Sequence, residues 1–332
     1  MSATILDIAR ASGYSKSTVS RAFSEPDTVN SATLEIILHA AKALNYTPNA
    51  IARSMITKKT ENLGFIIYER QKPVISNPFY APILEAIVQA SAEKGYSLFI
   101  ASDSDIRLPS GDTMLRKRVD GVIMASQTDP NTILDFRKKG IPVVLLNYHM
   151  DLENLYCILS DDYGGIFQAT EYLISRGHKN IGLLSGRFTS FIYSRRYNAY
   201  MDAMKKYGLN PDHRFVQTVE PTIKDAYNAA KSILAHGDRP TALLCTNDSI
   251  AVGALKAAVR SGLSIPRDLS IIGYDNSDLC MVSEPELTSV DTDKSEMGRL
   301  TVEYLIAQIN GRAPDKKIVT VESKLILRGT TN

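Results

Sequence analysis

The chain has 332 residues, a length typical of two or three domains rather than one. It is 44% hydrophobic and 22% charged, which supports a sizeable core and argues against a disordered chain or a membrane-spanning protein. The net charge is only +2, but residues 1–60 contain seven Lys or Arg and four Asp or Glu, an excess of +3. We therefore expect a basic head on a nearly neutral body, a charge distribution typical of proteins that bind nucleic acid.

Residues 4–21 predict two short helices joined by a tight turn. Ile5, Ile8 and Ala9 recur at helical spacing and give the first helix one apolar face. Gly13 stands at the turn, where a positive φ is often required. Ser15 is expected to cap the second helix.

The outward side of that second helix is polar, with Lys16, Ser17, Ser20 and Arg21. Long cations and small hydroxyls on an exposed helix can reach base edges and phosphates in the major groove. Residues 31–44 predict a third helix that closes a small core, with an apolar face formed by Leu34, Ile37, Leu38, Ala41 and Leu44. The pattern indicates a DNA-binding helix-turn-helix domain, although plain helical packing can produce the same spacing.

From residue 62 onward, short apolar runs alternate with amphipathic segments. Such runs are typical of strands buried on both faces of a parallel sheet. The predicted strands are 63–68, 97–101, 119–125, 142–146, 181–185, 242–246 and 270–274. The predicted helices are 82–94, 165–176, 195–207, 226–236 and 249–261. Repeated strand-helix order predicts an α/β body of doubly wound parallel sheets.

The sequence offers little for catalysis, metal binding or export. The five histidines lack metal-ligand spacing, and no nucleophile elbow, dinucleotide-binding or P-loop glycine pattern is present, so we expect no enzyme activity, cofactor or metal. The cysteines Cys157, Cys245 and Cys280 are far apart and are predicted to be buried reduced thiols. The N-terminus has no basic segment followed by a long apolar run, so we expect a cytoplasmic protein with no membrane partner.

Six motifs in order along the chain resemble those of the lactose-repressor (LacI/GalR) family of bacterial transcription regulators. They are Thr4-Ile5-x-Asp7-Ile8-Ala9, Ser15-x-x-Thr18-Val19-Ser20-Arg21, Tyr46-x-Pro48-Asn49-x-x-Ala52-Arg53-Ser54, Val119-Asp120-Gly121-Val122-Ile123, Asn247-Asp248 and Ile272-Gly273-Tyr274-Asp275-Asn276. The resemblance covers essentially the whole chain. It implies an N-terminal three-helix domain at 1–48, a hinge helix and linker at 49–61, and an effector-binding and dimerisation domain at 62–332. That last domain would have the type I periplasmic-binding-protein architecture, with subdomains at about 62–160 and 161–290 and C-terminal segments 291–332 completing both.

The resemblance also implies roles in DNA binding. Lys16, Ser17 and Arg21 are expected to read bases, whereas Ser31, Asn49, Arg53 and Lys58 are further contacts, mostly to the backbone. Met55 occupies the position, usually Leu, whose side chain wedges into the minor groove, and Met retains the ability to unstack a base step. We expect a homodimer on a pseudo-palindromic operator, with no C-terminal heptad segment to join two dimers.

Polar and aromatic residues follow the predicted strands, where ligands bind in open parallel sheets. The candidate effector contacts are Phe79, Tyr80, Asp162, Arg196, Asn247, Asp248 and Asp275. For each of them, a helix cap or an ion pair is the structural alternative. The purine-binding branch of the family has an aromatic residue in the loop that is Glu220-Pro221-Thr222 here, so the sequence favours a sugar or sugar phosphate.

The favoured function is therefore an effector-controlled repressor of a carbohydrate-utilisation operon. A solute-binding transport protein, a regulator of non-sugar metabolites and an enzyme are the alternatives; the basic head argues against the first and the missing phosphate loops against the last. Whether the effector induces or corepresses stays open. The global catabolite regulator of the family docks a phosphorylated carrier protein through a basic residue where this chain has Glu303, so no such partner is expected, although Arg299 lies on the same helix.

Overall fold

A computed structural model describes residues 3–24, 28–46, 59–67, 77–102, 118–127 and 129–332. Among these residues, no helix is both long and apolar enough to cross a membrane. The predicted DNA contacts Asn49, Arg53, Met55 and Lys58 lie outside the described residues. Because residues 47–58 are not described, the division at 1–48, 49–61 and 62–332 stays a prediction.

Residues 3–24 and 28–46 form three helices, α1 at Ile5–Ser12, α2 at Lys16–Ser24 and α3 at Ser31–Ala43. Gly13 ends α1 with φ of 74°, which confirms the left-handed turn predicted there. The Ser15 hydroxyl oxygen accepts a hydrogen bond from the Thr18 N–H at 3.1 Å, so the predicted cap of α2 is also confirmed.

These helices enclose a small core that differs in one respect from the sequence prediction. Its buried residues are Ile8, Val19, Ala22, Ile37, Ala40 and Ala41. Leu38 and Leu44 were expected in the core but are 47% and 40% exposed. Leu38 lies 100° around α3 from Ile37, and Leu44 follows the end of α3, where helical spacing no longer sets its direction.

In the body, the described residues form two six-stranded sheets with equivalent strand orders, which confirms the predicted fold class. The first sheet has the order β11-β5-β4-β3-β1-β2, with β1 at Asn62–Ile67, β2 at Ser97–Ser102, β3 at Gly121–Ala125, β4 at Val143–Leu146, β5 at Tyr156–Ser160 and β11 at Ile318–Val321. The second has the order β12-β10-β9-β8-β6-β7, with β6 at Ile181–Ser185, β7 at Val216–Thr218, β8 at Ala242–Cys245, β9 at Ser270–Tyr274, β10 at Thr288–Thr292 and β12 at Ser323–Ile326. The β10–β12 pair is antiparallel and the other paired strands are parallel.

Helices cover these sheets. They are α4 at Tyr80–Glu93, α5 at Pro130–Lys138, α6 at Asp162–Ser175, α7 at Phe191–Lys206, α8 at Ile223–Leu234, α9 at Asp248–Arg260, α10 at Leu279–Val282 and α11 at Lys294–Ile309. The five helices predicted for the body begin one to four residues earlier than expected, and in three of them a polar residue ahead of the apolar pattern caps the helix. Asp161, for example, accepts the Gly164 N–H at 2.9 Å, and Thr222 accepts the Asp225 N–H at 3.1 Å. These early starts bring helix N-termini to the strand ends.

The chain passes between the two sheets three times: after β5, after β10, and between β11 and β12. After β10 it forms α11, which packs on β3, β4 and β5 and against α4. Gly298 allows this close packing, since a Cβ there would lie 2.8 Å from the Ile83 carbonyl oxygen. The C-terminal segments thus supply one edge strand to each sheet.

Cys157, Cys245 and Cys280 are buried and free, as the sequence predicts. Burial raises the pKa of all three thiols, so each is a neutral core side chain.

Candidate functional site

A cavity of about 320 Å³ lies where strand ends and helix N-termini of both subdomains meet. Its wall from the first subdomain is formed by Asn77, Pro78, Phe79, Tyr80 and Asn147. Its wall from the second subdomain is formed by Ser190, Ile192, Tyr193, Arg196, Glu220, Pro221, Thr222, Asn247, Asp248, Ser249 and Asp275. The volume is at the lower end of the range for small-molecule sites.

Arg196, on α7, is the central charge of this site and is only 3% exposed. Its Nε donates to Asp162 Oδ1 at 2.8 Å, and its Nη1 donates to the Thr246 carbonyl oxygen. The guanidinium carbon lies 3.6 Å from the centroid of the Tyr274 ring. Its Nη2 also lies 3.7 Å from Asp275 Oδ1 at the cavity wall. Arg196 is therefore held in one orientation before any ligand binds.

Asp162 is buried behind Arg196. It is 1% exposed, is absent from the cavity lining, and lies 2.7 Å from Arg196 Nη2. Burial raises the pKa of its carboxyl group, and the neighbouring Arg196 opposes that shift. Asp162 therefore holds Arg196 in position, and its role as an effector contact stays a prediction.

Asp275 lies at the end of β9 in an unusual backbone conformation. Its φ is 103°, and Asn276 follows with φ of 46°. Such angles are uncommon for residues other than glycine and cluster at binding sites. Burial raises the pKa of Asp275 to about 7; Asp248 and Asp162 act in the same direction, whereas Arg196 lowers it. The side chain is 12% exposed and lines the cavity, so its carboxyl group can accept a hydrogen bond from a ligand.

Asp248 lines the cavity but is also bonded within the second subdomain. Its Oδ2 accepts from the Ser277 N–H at 2.7 Å and from the Ser277 hydroxyl at 2.8 Å. Its Oδ1 accepts from the Ser289 hydroxyl at 2.6 Å. These contacts hold the start of α9 against the loop after β9, through Ser277, and against β10, through Ser289. Asn247 caps the same helix, since its Oδ1 accepts the Ile250 N–H at 2.8 Å.

Aromatic rings lie on both walls. Phe79 and Tyr80 begin α4 and pack edge to face with centroids 5.1 Å apart. On the opposite wall, the Tyr193 ring lies against Gly186, where a Cβ would be 2.1 Å from a ring carbon. Burial raises the pKa of Tyr193 to about 12, so this phenol stays protonated.

Tyr193 and Asn147 are among the cavity residues that the sequence did not single out. Asn147 directly follows β4, and it has φ of 55°. Its Oδ1 accepts from the Ser160 N–H at 3.2 Å and from the Ser160 hydroxyl at 2.9 Å. The strand-end rule that selected Asp275 would have selected Asn147 as well. Tyr193 had no comparable signal, because its position depends on the space left by Gly186.

The loop at Glu220, Pro221 and Thr222 also lines the cavity. Glu220 Oε1 accepts a hydrogen bond from Arg187 Nε at 3.0 Å. Thr222 caps α8. The sequence has no aromatic side chain at these three positions.

The helix-turn-helix face is exposed where the sequence predicts DNA contacts. Lys16, Ser17 and Arg21 are exposed on α2, opposite the buried Val19 and Ala22. Ser31, at the first position of α3, is also exposed. The side chains predicted to read bases are thus available to a groove.

Arg299 on α11 has acidic partners on its own helix. It donates to Glu296 at 2.7 and 2.6 Å and to Glu303 at 2.5 Å. The charge of Arg299, which had left room for a phosphorylated carrier protein, is therefore compensated within α11. That this partner is not needed stays a prediction.

Comparison with known proteins defines the class. A family profile described as bacterial regulatory proteins, lacI family, matches residues 4–49, and a periplasmic binding protein-like domain matches residues 170–331. The HTH-type transcriptional repressor PurR of Pasteurella multocida (strain Pm70) is 32% identical over 98% of both chains. PurR of Histophilus somni (strain 129Pt) is 31% identical, also over 98% of both. The chain belongs to the lacI family of bacterial regulatory proteins. Its similarity to these relatives, which are regulators rather than enzymes, identifies it as a DNA-binding transcriptional repressor.

Solved structures agree with this assignment. The transcriptional regulator CelR in complex with cellobiose has a TM-score of 0.75 and 26% identity, covering 99% of each chain. A lac repressor dimer bound to operator and the anti-inducer ONPF has a TM-score of 0.84, covering 100% of this chain and 99% of that one. At 24% identity, the second comparison shows the shared fold alone.

Proposed function

We propose that this repressor controls a carbohydrate-utilisation operon and that a small sugar or sugar phosphate, bound in the cavity between the subdomains, sets its affinity for operator DNA. The observation that carries the proposal is the fixed Arg196 beside Asp275 at the wall of a cavity that both subdomains line. A guanidinium edge and a carboxylate oxygen suit the hydroxyl groups of a sugar, and Phe79 and Tyr193 offer ring faces.

A purine is the second candidate, because the relatives include repressors named PurR. The loop at Glu220, Pro221 and Thr222 favours the sugar, since it brings no aromatic ring to stack on a base. The CelR structure, which contains cellobiose, supports a saccharide in a related protein.

A homodimer on a pseudo-palindromic operator in the cytoplasm forms part of the proposal. Val259 on α9 and Met281 and Val282 on α10 are 53%, 57% and 77% exposed. Exposed apolar side chains of this kind suit contact with a second copy of the chain. Two copies related by a two-fold axis would place their recognition helices on half-sites about one helical turn apart.

Coupling would follow from how close the body lies to the predicted hinge. The first strand begins at Asn62, a few residues beyond the proposed hinge segment 49–56. A ligand that draws the subdomains together would change the separation of the paired hinge segments in the dimer. The ligand can shift this equilibrium only by its different affinity for the two states.

Operator binding tests the proposal. The full chain would be titrated onto operator DNA with D-glucose, cellobiose, glucose 6-phosphate, hypoxanthine or guanine. We expect a saccharide to change operator affinity about 5- to 150-fold, with the direction identifying an inducer or a corepressor. A response confined to hypoxanthine or guanine would replace the sugar by a purine.

The DNA contacts need a separate control. Arg21→Ala should weaken operator binding by about 1–3 kcal/mol and relax its specificity. If binding to random DNA weakened equally, Arg21 would contact phosphate instead of a base.

A further inference from the structure

Two buried polar atoms in the cavity wall lack a hydrogen-bond partner. Among the described residues, six buried side-chain nitrogen or oxygen atoms are in this state, and two of these, Tyr80 Oη and Asn147 Nδ2, line the cavity. Tyr80 is 2% exposed and Asn147 is 1% exposed. Buried polar groups are normally paired, so two unpaired ones in the same wall need an explanation.

The orientation of the Asn147 amide is fixed by its neighbour. The Ser160 N–H can only donate, so the atom facing it at 3.2 Å must be the amide oxygen. The Ser160 hydroxyl contacts the same oxygen at 2.9 Å. The Asn147 NH2 group therefore faces away from Ser160 and presents its donors at the cavity wall.

Tyr80 is also held in place. Asn77 Oδ1 accepts the N–H groups of Phe79 and Tyr80, each at 3.0 Å, and so fixes the first turn of α4. The Tyr80 ring packs against Phe79. Its hydroxyl lies beside the side chains of Ser126 and Asn147, but without a hydrogen bond of normal geometry. Two rigid donors thus lie side by side on the wall of the first subdomain.

The opposite wall has the complementary chemistry. Asp275 presents a carboxyl group there. The other two acidic lining residues are already bonded, Glu220 to Arg187 and Asp248 to Ser277 and Ser289. Arg196 is the only Lys or Arg among the described residues that line the cavity, and it already faces Asp162 and Asp275. A phosphate group entering this space would therefore find, among these lining residues, no cation that lacks a carboxylate partner.

We infer that Tyr80 Oη and Asn147 Nδ2 jointly donate to one oxygen atom of the effector, and that the effector is an uncharged polyhydroxylated molecule rather than a phosphate ester. This inference rests on the proposed function and narrows it. A hydroxyl group accepts from the first wall and other hydroxyl groups donate to Asp275 on the second. The ligand thereby links the two subdomains through hydrogen bonds to both walls of the cavity.

The first test compares thermal unfolding of the ligand-free full-length protein. Tyr80→Phe removes a hydroxyl that has no partner, so its Tm should stay the same or rise. The matched control is Tyr200→Phe, which removes a buried hydroxyl that donates to the Ile181 carbonyl oxygen at 2.7 Å, and its Tm should fall. An equal fall in both variants would show that Tyr80 Oη has a structural partner and would overturn the inference.

The second test measures ligand binding by calorimetry with D-glucose, cellobiose, glucose 6-phosphate and hypoxanthine. Whichever neutral saccharide binds the unmodified protein should bind Tyr80→Phe and Asn147→Ala at least about tenfold more weakly. Ser160→Ala is the control for Asn147→Ala, because it removes a hydrogen bond to Oδ1 and leaves the Nδ2 donors in place.

The outcomes distinguish a failure of the paired donors from a failure of the proposed function. If a neutral saccharide binds both variants as tightly as the unmodified protein, the paired donors are wrong and the sugar-controlled repressor stands. If glucose 6-phosphate binds more tightly than D-glucose, the uncharged class is wrong. If the unmodified protein responds only to hypoxanthine or to none of these probes, the proposed sugar function fails, and this inference fails with it.

Discussion

The two subdomains share a strand order but present different chemistry to the cavity between them. In the second, Arg196, Asp162 and Asp248 form buried ion pairs and hydrogen bonds that are complete without a ligand. In the first, Tyr80 and Asn147 are uncharged and each has an unpaired polar atom. The same topology therefore supports one wall that is electrostatically preorganised and another that the ligand completes.

Replacing Arg196, the buried cation of the second wall, should have the largest effect on folding stability. Arg196→Ala leaves the buried Asp162 carboxylate without its partner and should destabilise folding by about 3–5 kcal/mol. The substitution should therefore reduce stability as well as any response to the effector. Urea unfolding measures it, with Arg214→Ala as an exposed control. Equal stability of both variants would show that the second wall does not depend on its ion pair.

Asp275→Asn tests the ionisable group at the cavity wall. Effector affinity measured above pH 7, where the carboxylate is ionised, should fall about tenfold to a hundredfold, because a charged acceptor is replaced by an amide. With its pKa raised to about 7, Asp275 keeps a proton in the folded protein that the unfolded chain, with its ordinary value of 3.8, has released. Its stabilising contribution is therefore complete below 3.8 and is lost as the pH rises through about 7.

Thermal unfolding across this pH range should show that decline in the unmodified protein and a flatter profile in Asp275→Asn. Identical profiles would mean that Asp275 is ionised throughout, and the second wall would then carry a full negative charge.

Gly186→Ala should disturb the ring that covers the second wall. A Cβ at this position would lie 2.1 Å from the Tyr193 ring, so the ring must move. We expect a cost of about 1–3 kcal/mol in stability and weaker effector binding. Gly237→Ala is the matched control, because nothing lies within 4 Å of a Cβ there. If the effector bound Gly186→Ala normally, Tyr193 would not be a contact.

Ser160→Ala should have the smallest effect and probes the first wall. It removes one hydroxyl donor to Asn147 while the backbone N–H donor remains, so we expect a loss of about 0.5–1.5 kcal/mol in unfolding free energy. A much larger loss would indicate that the first wall, like the second, depends on a completed network.

The sequence predicted the fold well where patterns are local. Continuous apolar runs identified strands such as Ile181–Ser185 because both faces of a central parallel strand are buried. Five strands of the described residues were missed: Tyr156–Ser160, Val216–Thr218, Thr288–Thr292, Ile318–Val321 and Ser323–Ile326. All but Tyr156–Ser160 are short or polar and lie at or near a sheet edge. Boundaries were displaced where a cap such as Thr222 preceded the apolar pattern.

The site was predictable in position but not in detail. Arg196 and Asp275 followed from the rule that ligands bind at strand ends. The pairing of Asp162 with Arg196 joins residues 34 positions apart, and no spacing pattern reveals it. The unpaired state of Asn147 depends on which of its two amide atoms Ser160 contacts, so only the three-dimensional structure shows it.

On the ribosome, β11 is synthesised long after β5, the strand with which it pairs. Ile318 is added 161 residues after its partner Cys157. At cellular elongation rates, the open edge of β5 would wait roughly 10 to 30 seconds for its neighbour. The DNA-binding helices emerge first, and the first subdomain is completed almost last. Newly made chains therefore carry a finished DNA-binding head before they have a finished effector site, and during that interval an unpaired strand edge is open to aggregation.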